Sequence, residues 1–581
     1  MKKSILALLL ALCMLLGLMA GCGSEAAAPA ASSAAESTEA SEVVPEEAEE
    51  PAEADSAEPD EISSEEAGDA GSEEEPAEEI ELPPYEPNED LTEVSMLFQF
   101  LPFFQSWFPE GWASSPWWDE FEARTNSKWD LREVSAMAWQ ENVNLLCASG
   151  DLPDVVSGIG NVYSGGVSGA IRDEMIVDLA PMIQESAPYY FSIVSQNEYT
   201  MKTLVDDEGS MGAMYATRSP VYSVDNGLWI RKDWLDALGM DAPSTPEEMK
   251  QVLQGFKDSF GADVGLYQMI HMNENKVFCA VEGVWNAFGP TDFYLDENGE
   301  VQFGPMQDYY CDYLAYLKDL AEDGLFLTST MTDQTSMQLF ASGGIGIQGD
   351  DPDNVKANIA LLPEEEQAKV EMVPMAALGE PTEFGAKTAL TGGEGSISIS
   401  TNCANPEAVL HVLDYLFTEE GAVLSSYGVE GVSFEYEDGK PQLTDAILRN
   451  PDGMPARAAM VYYANPGLPG AIDNTRSQRY WDDTQKSCYG IWEAAYTGSS
   501  MTLPKDALSL TTEELDAISV YENDMITYAT EWANGVVFGG VELTDAEIES
   551  YRSTMTDSMH ISEIIEIYQA AYDRFQERSF G

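Results

Sequence analysis

An α/β fold carried behind an export signal and an acidic tether is what the sequence predicts, and three observations support that reading. After residue 91, short apolar runs alternate with segments of helical period. Before it, residues 23–90 hold 25 Asp and Glu and no Lys or Arg. The chain itself opens with Lys2 and Lys3 and then an apolar run, Ser4 to Leu18, too short to cross a bilayer and flanked like a cleavable signal.

Each part has a physical reason. The signal closes on Leu18-Met19-Ala20-Gly21-Cys22, a small-small-Cys ending that resembles the bacterial lipobox, in which Cys22 becomes the lipidated mature N-terminus. Residues 1–22 therefore read as a lipoprotein signal peptide and place the protein on the extracellular face of the cell membrane. Residues 23–90 have little apolar surface to bury and strong self-repulsion, so they read as a disordered tether. Even without charge, a flexible chain of that length reaches on the order of 45 Å. With 27 Lys and Arg against 103 Asp and Glu, the formal charge is −76. That balance argues against nucleic acid, polyphosphate or anionic lipid as partners. Cys13 leaves with the signal. Cys147, Cys279, Cys311, Cys403 and Cys488 remain, widely spaced and odd in number, and read as free thiols without a disulfide framework or a zinc site.

Along the folded part, Val94 to Phe100 alternates loosely and reads as a strand. Trp117 to Thr125 reads as a helix with Trp118, Phe121 and Glu122 on one face. Gln140 to Ser149 reads as a second helix, with Val143, Leu146 and Cys147 inward and a stop at Gly150. Leu152-Pro153-Asp154 then turns the chain into the strand Val155-Val156, and strand, helix, strand, helix predicts a parallel sheet. Thr245, Pro246 and Glu248 form a capping box ahead of Met249, Val252, Leu253 and Phe256. Ile345-Gly346-Ile347 reads as a short strand leading into the loop Gln348-Gly349-Asp350-Asp351. Asn405-Pro406-Glu407 opens a helix expected to run through Val409, Leu410, Leu413, Leu416 and Phe417 to Gly421. Thr544 and Glu547 repeat the capping box, and Ile564, Ile565, Tyr568, Ala571, Tyr572 and Phe575 form one stripe on a closing helix from Ile561.

Three stretches resemble a known family. Asn142 to Leu146 followed by Ala148-Ser149-Gly150-Asp151-Leu152-Pro153-Asp154-Val155 looks like one signature of extracellular solute-binding proteins. Leu228 to Gly239, continuing to Pro243-Ser244-Thr245-Pro246-Glu247-Glu248, resembles a second. Asn405 to Ala408, Leu413 to Leu416 and Glu419-Glu420-Gly421 resemble a third, and Glu566 to Phe575 is similar to the family's C-terminal helix. The resemblance implies the substrate-capturing lipoprotein of an ABC importer, of the carbohydrate-binding group, with the two-lobed type II periplasmic-binding-protein fold. It implies lobe one at 91–220 plus 398–454 and lobe two at 221–397 plus 455–581. Crossings would fall near Ser219–Val224 and Ser396–Ser400. The implied partners are a sugar ligand and the membrane permease subunits, with the protein itself a monomer.

In open α/β sheets ligands lie beyond the carboxyl ends of strands. The loop after the first strand holds Phe103, Phe104, Trp107, Phe108 and Trp112, an aromatic density suited to the C–H faces of sugar rings, or else to a small core of its own. Asn161 follows the second strand, as a hydroxyl ligand or a turn former. Asp351, with Asp350 and Asp353, lies in the loop after Ile347; its spacing lacks the ladder of a calcium loop and fits a helix cap around Pro352. Trp285 with Asn286 and Phe288, and Asp473, Arg476, Tyr480 and Trp481, complete the candidates. The ligand set is therefore Trp107, Trp112, Asn161, Trp285, Asp351 and Trp481, with no metal, cofactor or catalytic residue assigned.

Catalytic chemistry lacks a constellation. His271, His411 and His560 are the only histidines, and neither a Gly-x-Ser-x-Gly elbow nor a His-Glu-x-x-His run occurs. Abundant carboxylates alone do not point to glycosidase chemistry. The expected function is capture of an uncharged oligosaccharide by hinge closure. The alternatives are a peptide or other small-solute receptor of the same fold, and a surface glycoside hydrolase.

Overall fold

The structure is a computed structural model that describes residues 82–580, apart from 101–106, 109, 222–226, 262–286, 326–339, 342, 361, 380–389, 465–466 and 495–501. Cys22, Phe103, Phe104, His271, Cys279 and Trp285 lie outside the described residues. In chain order the first lobe opens with β1 (Thr92–Phe100), α1 (Pro116–Thr125), β2 (Ser127–Ser135), α2 (Trp139–Ser149), β3 (Val155–Ser157) and β4 (Met214–Ser219). The second follows with β5 (Gly227–Arg231), α3 (Pro246–Phe260), β6 (Ile347–Asp350), α4 (Pro352–Ala360) and β7 (Met372–Pro374). The chain returns through β8 (Leu390–Ile399), α5 (Pro406–Asp414), α6 (Glu419–Tyr427), α7 (Ala456–Ala464) and β9 (Ala471–Asp473). It ends in the helices α8 (Asp483–Glu493), α9 (Thr512–Val537) and α10 (Ile561–Glu577).

The first sheet has the order β9-β4-β8-β3-β1-β2. β8 runs antiparallel to β3 and β4, and every other pairing is parallel. A sheet of this kind is covered on both faces, and its strands show it. Met96, Phe98 and Val155 enter one core with Ile183, Tyr190 and Leu410, whereas Leu97 and Val156 turn to another with Val143, Leu146 and Ile159. The second sheet, β6-β5-β7, is antiparallel. Leu228, Ile230 and Ile347 face a large core completed by α3, α9 and α10, while Trp229 and Met372 face Trp481, Cys488 and Trp492 on the other side. Gly227 is required there, because a Cβ would stand 2.2 Å from the Trp492 ring.

The elements read from the sequence form, with informative differences. Thr245 caps α3, but Glu248 reaches past it to the backbone N–H and hydroxyl of Ser244. The helix expected from Asn405 to Gly421 is broken: it ends in a tight turn at Tyr415–Phe417, and Thr418 caps the separate α6. Gly421 lies inside α6, where a Cβ would sit 1.8 Å from the Tyr415 carbonyl oxygen. Gln348, Gly349 and Asp350 belong to β6 rather than to the loop after it.

Three expected boundaries move. Residues 82–90, read as tether, lie against the first lobe: Tyr85 stacks on His411 at 4.8 Å, and Tyr189 donates to the Pro83 carbonyl at 2.6 Å. Residues 455–473, placed in lobe two, return to the first sheet, since α7 buries Ala458 in its core and β9 pairs with β4. Ser396–Ser400 is not a crossing either, because β8 is already paired with β4 at Leu390. The chain passes between lobes before Leu390, again between Ser219 and Gly227, and again after Asp473. Cys147, Cys311, Cys403 and Cys488 are free thiols.

Candidate functional site

Because β1, β2, β3, β4 and β9 share one direction, their carboxyl ends form a single edge of the first sheet. Beyond it lie the loop of Trp107–Ser115, the turn Gly158–Asn161 and the segment Asn474–Trp481. In the second lobe, the carboxyl end of β6 pairs with the amino end of β5, bringing Asp350 beside Gly227. The passage from Ser219 to Gly227 joins these two edges, so the interlobe cleft is bordered by both.

Polar side chains bridge the edges. Asp351 opens α4, its Oδ1 accepting the backbone N–H groups of Asp353 at 2.9 Å and Asn354 at 2.8 Å. Its Oδ2 receives Arg457 of α7 at 2.9 Å, and the same guanidinium donates to Asn354 Oδ1 at 2.6 Å. Asp353 accepts the Tyr480 hydroxyl at 2.9 Å and the Trp481 indole N–H at 2.6 Å. Gln485 of α8 donates to the Pro352 carbonyl at 3.0 Å. Burial, and then the charge of Asp351, push Asp350 up to about 7 and Asp353 up to about 6. Nearby, Tyr427 and Thr475 hydrogen-bond Asp473; burial raises this carboxyl, but those bonds hold it below the usual range.

The predicted ligand residues divide. Asp351 and Trp481 come together through Asp353, but Trp481 is only 6% exposed and completes a core. Trp112 is 5% exposed and stands edge-on to Phe108 at 4.8 Å, so it is part of a small core and not an open platform. Trp107 is half-buried against the same core, and Asn161 is exposed on its turn. His411 stacks on Tyr85, and His560 meets Glu563 at 3.0 Å. Among the described residues no His, Cys, Asp and Glu group is set to hold a metal ion. Arg457 was missed by the sequence reading. Its signal was present: a single arginine within the alanine-rich Ala456–Ala464, in a chain poor in cations.

Residues 109–423 match the family model described as bacterial extracellular solute-binding protein. The chain belongs to that family. It is 26% identical over 335 residues to the polygalacturonan/rhamnogalacturonan-binding protein YtcQ of Bacillus subtilis, a match covering 55% of this chain and 64% of that one. It is 23% identical over 341 residues to lipoprotein LipO of the same organism, covering 56% and 65%. The matches thus span a little under two thirds of these curated relatives. The solved structure of the S. pneumoniae substrate-binding protein FusA with kestose superimposes with a TM-score of 0.64 at 20% identity, over 84% of this chain and 100% of that one. The family fold is the two-lobed type II periplasmic-binding-protein fold, and this solute-binding protein has it.

Proposed function

We propose that this solute-binding protein captures an oligosaccharide between its lobes and, anchored by lipid at Cys22 on the outer face of the cell membrane, presents it to the permease of an ABC importer. The observation that carries the reading is the bridge from Arg457 on the first lobe to Asp351 and Asn354 on the second. A charge-assisted contact between lobes gives the closed arrangement an energy of its own, and a ligand touching both edges adds to it. Carboxylates, amides and phenols at the same border suit a solute rich in hydroxyl groups. The family, and relatives named for polygalacturonan/rhamnogalacturonan binding and for fructooligosaccharide transport, support sugar over peptide.

Isothermal titration against oligosaccharides and peptides of matched size tests the reading. A sugar should bind and, at about a hundred times its dissociation constant, add roughly 2.7 kcal/mol to the unfolding free energy. Binding of peptides alone would overturn the carbohydrate assignment, and release of shortened products from a bound glycan would overturn the receptor assignment.

A further inference from the structure

Cations are scarce in this chain, 27 Lys and Arg against 103 Asp and Glu, yet four arginines gather where the lobes meet. Arg218 lies in β4, Arg476 and Arg479 lie in the turn after β9, and Arg457 reaches in from α7. Asp351 answers the charge of Arg457 at 2.9 Å. Nothing comparable answers Arg476. Among the described residues its one hydrogen-bond acceptor is the Ser425 carbonyl oxygen at 3.1 Å, and it forms no ion pair. Asp473 stands near it but is engaged by the Tyr427 hydroxyl and by the backbone and hydroxyl of Thr475. Among the described residues Arg479 donates only to the Tyr427 phenol, at 3.3 Å, with its guanidinium 5.6 Å from that ring.

A half-buried guanidinium with no carboxylate in ion-pair contact, and one carbonyl taking up one of its five donors, has donors left for an anion that reaches it. Burial, and then the neighbouring Arg218 charge, hold Arg476 down to about 10, while the Tyr480 and Tyr427 phenols and Asp473 act the other way. The position is the carboxyl-end edge where ligands of α/β sheets sit. A planar fork of donors there matches a carboxylate in bidentate geometry, which no neutral hydroxyl reproduces. In a molecule whose overall field repels anions, the attraction has to be supplied locally.

We propose that Arg476, with Arg479 beside it, receives a carboxylate of the captured sugar, so that the ligand is an acidic, uronate-containing oligosaccharide. This rests on the carbohydrate reading above and replaces the uncharged ligand expected from composition.

Calorimetric titration of the full chain with trigalacturonic acid, its fully methyl-esterified form, a neutral trisaccharide and a sulfated trisaccharide tests it. The free acid should bind at least about tenfold more tightly than its ester, and Arg476→Gln should erase that preference. Equal affinity for acid and ester, or a preference kept in Arg476→Gln, overturns the proposal. Tighter binding of the sulfated sugar overturns the choice of carboxylate. Neutral sugars bound with the acid excluded would overturn this inference and leave the carbohydrate reading standing, whereas failure of every sugar removes both. Should Arg476→Gln melt early, Arg479→Gln at the exposed edge gives the second reading, with a weaker loss of the same preference expected and an undiminished preference overturning the proposal.

Discussion

Asp414 illustrates how a single residue carries both a fold signal and a cost. It is fully buried, and its carboxylate accepts the backbone N–H groups of Tyr189 at 3.1 Å and Tyr190 at 2.7 Å, anchoring the start of the helix Pro188–Val194. Burial nevertheless pushes it up to about 7 from the ordinary 3.8. The folded state therefore holds a proton through a pH range in which the unfolded state has lost it, so this group's stabilisation is complete near pH 4 and disappears as pH rises through 7. Asp414→Asn, which cannot ionise but keeps an acceptor for only one of the two N–H groups, should remove this pH dependence between those limits. Chemical denaturation at several pH values checks this, and parallel profiles would refute it. The tryptophans obey simpler rules. Trp112→Ala and Trp481→Ala should each cost about 3–5 kcal/mol without ligand, because both rings are core. Trp107→Ala, half-buried, should cost less, and calorimetry of the three variants gives the ranking.

At the scale of elements, a turn decides where α5 gives way to α6. The Thr418 hydroxyl accepts the Gly421 N–H at 3.0 Å, and the tight approach of Gly421 to Tyr415 leaves no room for a side chain. Gly421→Ala should therefore destabilise the first lobe by at least about 2 kcal/mol, with a lowered thermal midpoint as the readout; an unchanged midpoint would mean the turn adapts freely. This junction also shows why the sequence reading went astray. Apolar period runs unbroken through Leu413, Leu416 and Phe417, whereas the Ser-Thr-Asp type of cap that ends one helix and starts the next is a single residue, Thr418. Strong periodicity made β1, α1, α2, α3 and α10 legible. β2 was not, since Ser-Lys-Trp-Asp-Leu-Arg-Glu-Val-Ser is an edge strand whose pattern is mostly polar. Of the site, Asp351 and Trp481 were visible as chemical types, but their meeting at Asp353 depends on contacts 128 residues apart in sequence. Arg476 stood among the candidates by type, whereas Arg457 was separable from a surface cation only through its partners Asp351 and Asn354.

For the molecule as a whole, the question is what ties the two lobes together. The proposed lipid anchor is a separate matter: Cys22→Ser should shed the protein into the medium or leave uncleaved precursor, and normal membrane retention would refute lipidation. Within the folded body, the C-terminus offers a clamp. The Arg578 side chain, 1% exposed, donates to the carbonyls of Lys202 at 3.0 Å and Val205 at 2.7 Å, whose segment packs in the first-lobe core. It also donates to the Ala507 carbonyl at 2.6 Å and the Ser509 hydroxyl at 2.7 Å, beside Leu508 on the second-lobe core. Asp207 balances the charge at 2.8 Å and is shared with Arg574 of α10. One buried guanidinium thus satisfies acceptors from both lobes, and its removal leaves those carbonyls unpaired in a dry place. Arg578→Ala should cost about 3–5 kcal/mol. Because the lost contacts lie between lobes and not within either core, differential scanning calorimetry should also resolve two transitions where the natural protein shows one. A bound sugar should draw them together again, since it couples the lobes through contacts other than those of Arg578. Arg578→Lys keeps the charge but not the fork, and should fall between the two. A single, unshifted transition in Arg578→Ala would show that the lobes are coupled elsewhere.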